Sequence, residues 1–164
     1  MSGLRNLLMK IEMDNTTYFE RLDRLNAIHE AGHAVMTLLT GTPLGFVRLG
    51  HPDDPDSFGG SHRANCYEPE HEVLIRFAGV GAELVERNER CWSLLFRSSG
   101  GEDWMGAQRY IDALDGGRKA CILTAKTKVL KLLHEHWPWV QAVADELQRS
   151  RFVMGARVEA LRPA

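Results

Sequence analysis

At 164 residues the chain suits one domain or at most two small ones, and 20 Lys plus Arg against 22 Asp plus Glu leave a formal charge of -2 with neutral histidines. That balance excludes phosphate-backbone binding as the main activity, so no nucleic-acid partner is expected. The composition, 44% hydrophobic and 26% charged, is that of a folded soluble protein, and no apolar run approaches the roughly 18 residues of a membrane span. A chain this long buries about 70% of its unfolded surface and holds a core without metal or disulfide, so a metal site here points to function rather than to folding.

The elements follow in chain order. Leu4, Leu7, Leu8 and Ile11 at helical spacing predict an amphipathic helical segment over residues 1–14, docked on the rest of the protein. It lacks the continuous apolar stretch and cleavage site of a secretory signal. Thr17 and Glu20 have capping-box spacing, and Tyr18, Leu22, Leu25, Ile28, Val35, Leu38 and Leu39 continue one long helix to Gly41. Pro43 stops it, Phe46 to Leu49 read as a short strand, and the turn-rich run His51 to Gly60 leads to a second short strand over Ser61 to Cys66. Pro69 opens a helix whose Ala78, Gly79, Gly81 and Ala82 keep it thin enough for close packing. Ser98 to Gly101 form a turn into a helix starting near Glu102 and Asp103 and ending at Gly116-Gly117. Helices over Arg118 to His136, from Pro138 to Gln148, and from Met154 to Leu161 complete a mainly α domain with one small strand pair. Cys66, Cys91 and Cys121 are odd in number, widely spaced and form no Cys-x-x-Cys pair, which reads as reduced thiols in a cytoplasmic protein.

His29-Glu30-Ala31-Gly32-His33, on the first long helix, carries the chemistry. Histidines at i and i+4 share a helical face, so both imidazoles can bind one Zn²⁺ while Glu30 serves a water molecule as general base. This is the arrangement of a metallopeptidase. Catalytic zinc usually takes a third protein ligand. Met36 and Leu39 exclude the extended form of the motif with a third histidine, and composition leaves His51, Asp53, Asp54, Asp56, His62, His71, Glu72, Glu83 and Asp103 as candidates. The His51 to Asp56 segment reads as a solvated turn.

The run Ala27 to Val35 around the motif resembles the peptidase domain of the FtsH family of ATP-dependent zinc metalloproteases. Phe77 to Val85 resembles that family's Gly-Arg-x-Ala-Glu-Glu helix, with Val80 where Arg is usual, and Ser99-Gly100-Gly101-Glu102-Asp103-Trp104 resembles its Thr-Gly-Ala-x-x-Asp-Leu stretch. The pattern from Ala120 to Val158 resembles the family's closing helices, so the likeness spans residues 15–162. It implies an FtsH-peptidase-like fold and carries the third ligand onto Asp103. The chain departs from the family in having no Walker-type motif, only 28 residues before His29, and Ala113 to Gly117 where the family has a long segment. The expectation is a zinc endopeptidase without an ATPase domain of its own, acting on a peptide or unfolded protein, with a separate AAA ATPase or self-association left open.

Zn²⁺ on His29, His33 and Asp103 with Glu30 as base is thus the expected centre, and the strand bearing Phe46, Val47 and Leu49 is expected to receive substrate by edge pairing. The rival is a zinc-bound or metal-free helical interaction module that works by binding a partner. Arg118, Lys119, Lys126, Lys128 and Lys131, with Trp137 and Trp139 nearby, read as a solvated basic face over aromatic core anchors. His134 and His136 are two residues apart, point in different directions on a helix, and do not form a second metal pair.

Overall fold

The first element, α1, runs unbroken over Ser2–Leu39. The structure, a computed structural model, describes residues 2–50, 59–66, 68–97 and 99–164, with side chains from Tyr18 onward apart from Leu94. His51, Asp53, Asp54 and Asp56, and the docking of Leu4, Leu7, Leu8 and Ile11, lie outside the described residues. Thr17 and Glu20 do not open a helix, because no Gly or Pro separates them from Met13 and the weak helix formers Asp14 to Thr17 cost only tenths of a kcal/mol each, roughly. From Ser2 onward, the segment expected to end at residue 14 and the motif helix are one continuous helix.

After Gly41, at φ +74°, the chain enters a three-stranded antiparallel sheet in the order β2-β1-β3, with β1 at Leu44–Arg48, β2 at Gly60–Arg63 and β3 at Phe152–Met154. Val47 faces Ser61 on one side and Val153 on the other. The third strand was not expected. It forms because Arg151, in the left-handed conformation at φ 61°, ends the preceding helix and turns the chain back, and its carbonyl accepts from the Leu49 N–H at 2.8 Å. Strand β1 is therefore central, and the expectation of edge pairing at Phe46, Val47 and Leu49 is corrected: both sides of β1 are taken. Val47 and Leu49 are core residues, and Phe46 stacks between His62 and Phe152.

Helix α2 (Pro69–Arg87) crosses the middle of the molecule, burying Val73, Leu74, Phe77, Val80 and Leu84, and packs on α1 on one side. The short α3 (Trp92–Phe96), α4 (Gly101–Ile111) and α5 (Arg118–Glu135) pack on it elsewhere. Phe77, Trp92, Phe96 and Trp104 form an aromatic cluster with centroids 5.0–6.0 Å apart, which fixes α3 and the start of α4 on α2. Helix α6 (Trp137–Ser150) lies on α1, and α7 (Gly155–Ala160) closes the chain, its Val158 carbonyl accepting from the buried Trp139 Nε1–H at 2.7 Å. Lys128 pairs with Glu70 at 2.7 Å and Lys131 with Glu135 at 3.8 Å on a solvated face, and the ring beside the Lys126 ammonium, at 5.4 Å, is Trp92 rather than the expected Trp137 or Trp139 of α6. The result is a compact, mainly helical single domain with one small sheet. No described helix is long and apolar enough to cross a membrane.

Candidate metal centre

Helix α1 turns Ala27, Ile28, Ala31, Ala34 and Val35 into the core, and the same geometry places His29 and His33 one turn apart where α1 meets α2. Their Nε2 atoms are 3.0 Å apart. Asp103, in the first turn of α4, brings Oδ2 to 3.2 Å from His29 Nε2 and 3.1 Å from His33 Nε2. His29, His33 and Asp103 are the one group of three or more His, Cys, Asp or Glu among the described residues whose ligand atoms converge enough to hold a metal ion.

The outer nitrogens are committed. His33 Nδ1–H donates to the Ile75 carbonyl at 2.7 Å, and His29 Nδ1–H donates to Glu83 Oε1, also at 2.7 Å. A carbonyl and a carboxylate only accept, so in the neutral rings the protons sit on Nδ1 and both Nε2 lone pairs face Asp103. Three acceptors pointing at one another need a cation between them. A tetrahedral ion with bonds of about 2.0–2.1 Å sets its ligand atoms about 3.3 Å apart, close to the separations here, and two imidazoles with one carboxylate suit a borderline metal. The residues fit a metal ion.

Glycine on α2 makes room for this. A Cβ on Gly79 would lie 2.4 Å from His33 Nε2 and 2.5 Å from His29 Nε2, and one on Gly32 would lie 2.6 Å from the Ala78 carbonyl oxygen. Close approach of α1 to α2 at these two glycines lets His29 reach Glu83 and His33 reach Ile75. Ser99 Oγ–H donates to the same Glu83 Oε1 at 2.6 Å, and Arg87 lies 3.6 Å from Oε2, so the buried carboxylate is held from three sides.

The electrostatics follow. Burial opposes charge on His29, but its hydrogen bonds to Asp103 and Glu83 outweigh this and push its pKa up to about 10. Burial likewise opposes charge on Asp103, yet His33 and His29 hold its carboxyl well below the usual carboxylate range. Without a metal, a proton therefore serves as the cation. Glu30 is displaced upward by burial, with His33 and His29 pulling the other way.

The two imidazoles and Asp103 open onto a cleft of about 590 Å³ that Glu30 also lines. A Cβ on Gly59 would lie 2.5 Å from Glu30 Oε1, so the backbone entering β2 passes directly against this carboxylate. Gly60, Ser61, Arg63 and Arg76 continue the wall.

Of the other candidate ligands among the described residues, His62, His71, Glu72 and Glu83, none lines the cleft. His62 is exposed on β2 against Phe46, and Glu72 is paired with Arg63 and Arg76. Glu83 holds His29 from behind, a role not expected from the sequence, as the pairing of Arg63 and Arg76 was not; the close packing expected at Gly79 is found, against the two imidazoles. The signal for Glu83 was an acidic residue in the otherwise small and apolar run Phe77 to Val85, a setting that calls for a buried partner. Compared with known proteins, the chain matches no family model and no curated protein.

Proposed function

We propose that this chain is a zinc-dependent metalloendopeptidase on an FtsH-type peptidase scaffold, with His29, His33 and Asp103 as zinc ligands and Glu30 as general base. The observation that carries the reading is the convergence of His29 Nε2, His33 Nε2 and Asp103 Oδ2 to within 3.2 Å on the wall of a cleft that Glu30 shares. His29, His33 and Asp103 would hold the zinc, which would supply Lewis acidity toward a peptide carbonyl and a water molecule. Glu30 takes the water proton on a carboxylate oxygen and returns it to the departing amine, and its upward displacement by burial brings its basicity nearer neutral pH. Glu83 and the Ile75 carbonyl hold the two rings in the tautomer that presents Nε2.

Substrate alignment falls to β2 rather than β1. Strand β2 pairs only with β1 among the described strands, and Gly60, Ser61 and Arg63 wall the cleft, so an extended peptide pairing with its outer edge passes beside Glu30. Such pairing selects an unfolded segment over a folded one.

Metal analysis of protein purified without added zinc, with cleavage of an unfolded protein in the presence and absence of a chelator, tests the reading. An unfolded substrate removes any need for a separate ATPase. About one zinc per chain and chelator-sensitive cleavage support the proposal; a metal-free, inert protein at neutral pH rejects it in favour of the interaction module.

A further inference from the structure

Beside the metal cleft lies a second cavity of about 660 Å³, and the two share Ser61, Arg63 and Arg76 as a common wall. Glu72, 2% exposed, anchors that wall: Arg63 Nη2 donates to both of its oxygens at 2.7 and 2.9 Å, and Arg76 Nε donates to Oε1 at 2.9 Å. One carboxylate thus faces two guanidinium groups, leaving one positive charge uncompensated, while Arg76 keeps both Nη groups without a hydrogen-bond partner among the described residues. The Arg76 guanidinium is seated on α4, where a Cβ on Gly106 would lie within 2.5 Å of its Cζ. The far side of the second cavity adds Arg109, 5.0 Å from the centroid of the Tyr110 ring and with no ion pair among the described residues.

We infer that Arg63, Arg76 and Arg109 form a subsite for a substrate carboxylate next to the metal centre, an inference that rests on the peptidase reading and adds a substrate class to it: peptides with an acidic side chain or a free C-terminal carboxylate a few residues from the scissile bond. Planar guanidinium groups preset by a buried anion meet a carboxylate with paired N–H donors, and ordering them beforehand removes most of the entropy cost of the contact. Glu72 orients Arg63 and Arg76, and Gly106 gives Arg76 its seat. The carboxylates of the metal cleft, Glu30, Glu102 and Asp103, lie in the first cavity and are absent from the lining of the second. Arg109 adds positive charge where those three carboxylates are absent, which draws an anionic group to that end of the groove.

The test is binding of three fluorescein-labelled peptides of equal length to Glu30→Gln protein, read by anisotropy: one with an internal glutamate and an amidated terminus, one with glutamine in its place, and the glutamine peptide with a free C-terminal carboxylate. A carboxylate peptide should bind roughly tenfold more tightly than the neutral one. The preference should shrink in about 0.5 M salt, where the screening length falls to about 4 Å. Whichever carboxylate gains identifies the source. Arg109→Gln, at an exposed position, and Gly106→Ala, which displaces the Arg76 guanidinium without removing its charge, should each reduce the preference several-fold. Equal binding of the three peptides, or a preference untouched by both substitutions, overturns the inference. A preference sensitive to both, in a chain whose native form cleaves nothing, supports the subsite and counts against the peptidase reading alone.

Discussion

His29 Nδ1–H donates to Glu83 Oε1 across 2.7 Å, and this single bond fixes which nitrogen of the ring faces Asp103. Glu83→Gln keeps an acceptor but loses the negative charge behind the imidazole, while Glu83→Ala leaves the Nδ1–H without its partner. We expect metal affinity to fall about 10-fold for glutamine and about 100-fold for alanine, read by competition with a chromophoric chelator. Equal affinity in both variants would show that the ring needs no support from α2.

Glu30→Gln should keep its metal and lose hydrolysis, because the amide cannot accept the water proton. His33→Ala should lose both, as should Asp103→Ala. Metal content and turnover measured on the same preparations separate the two classes; a Glu30→Gln protein that still cleaves peptides removes Glu30 from the mechanism.

Proton and metal compete for the same place. In the metal-free protein His29 holds its proton up to about 10 against a reference value of 6.5, so that proton stabilises the fold in full below 6.5, and the contribution falls away as pH rises through about 10. The melting temperature of the metal-free protein should therefore decline over that window. Metal binding between about pH 7 and 9 should release about one proton, with apparent affinity rising about tenfold per pH unit. Calorimetry in buffers of differing ionisation enthalpy counts the proton; a count of zero would show that His29 is already neutral.

Gly79→Ala places a methyl group 2.4–2.7 Å from both imidazoles, and the rings cannot withdraw without breaking their Nδ1 bonds. Alanine also favours the helix by up to about 1 kcal/mol. Metal affinity should fall by at least about tenfold while far-ultraviolet circular dichroism stays native. Chelator competition and circular dichroism check the pair, and undiminished metal binding would mean that the helices separate at little cost.

Where periodicity is strong, the fold is legible from residues alone: the helix through His29 and His33, the thin helix from Pro69, and the stops at Gly41 and Pro43 all follow from local propensity and turn chemistry, whereas the helix expected to run to Gly116-Gly117 already ends at Ile111. The pair His29 and His33 is equally local, because i and i+4 place both rings on one face wherever the helix packs. Asp103 sits some 70 residues further on, and the packing of α4 on α2, with the aromatic cluster of Phe77, Phe96 and Trp104 at its start, brings it to the histidines. Phe152 to Met154 become a strand because β1 offers a second edge once α6 has docked on α1, and three residues carry too little pattern to announce it. The same pairing moves substrate alignment from β1 to β2. Glu83 and Gly79 also depend on which residues of distant helices meet, and the Arg63, Glu72, Arg76 set on how β2 reaches α2. Spacing along one helix is a property of the backbone, whereas partnership between helices is settled by how the whole core closes.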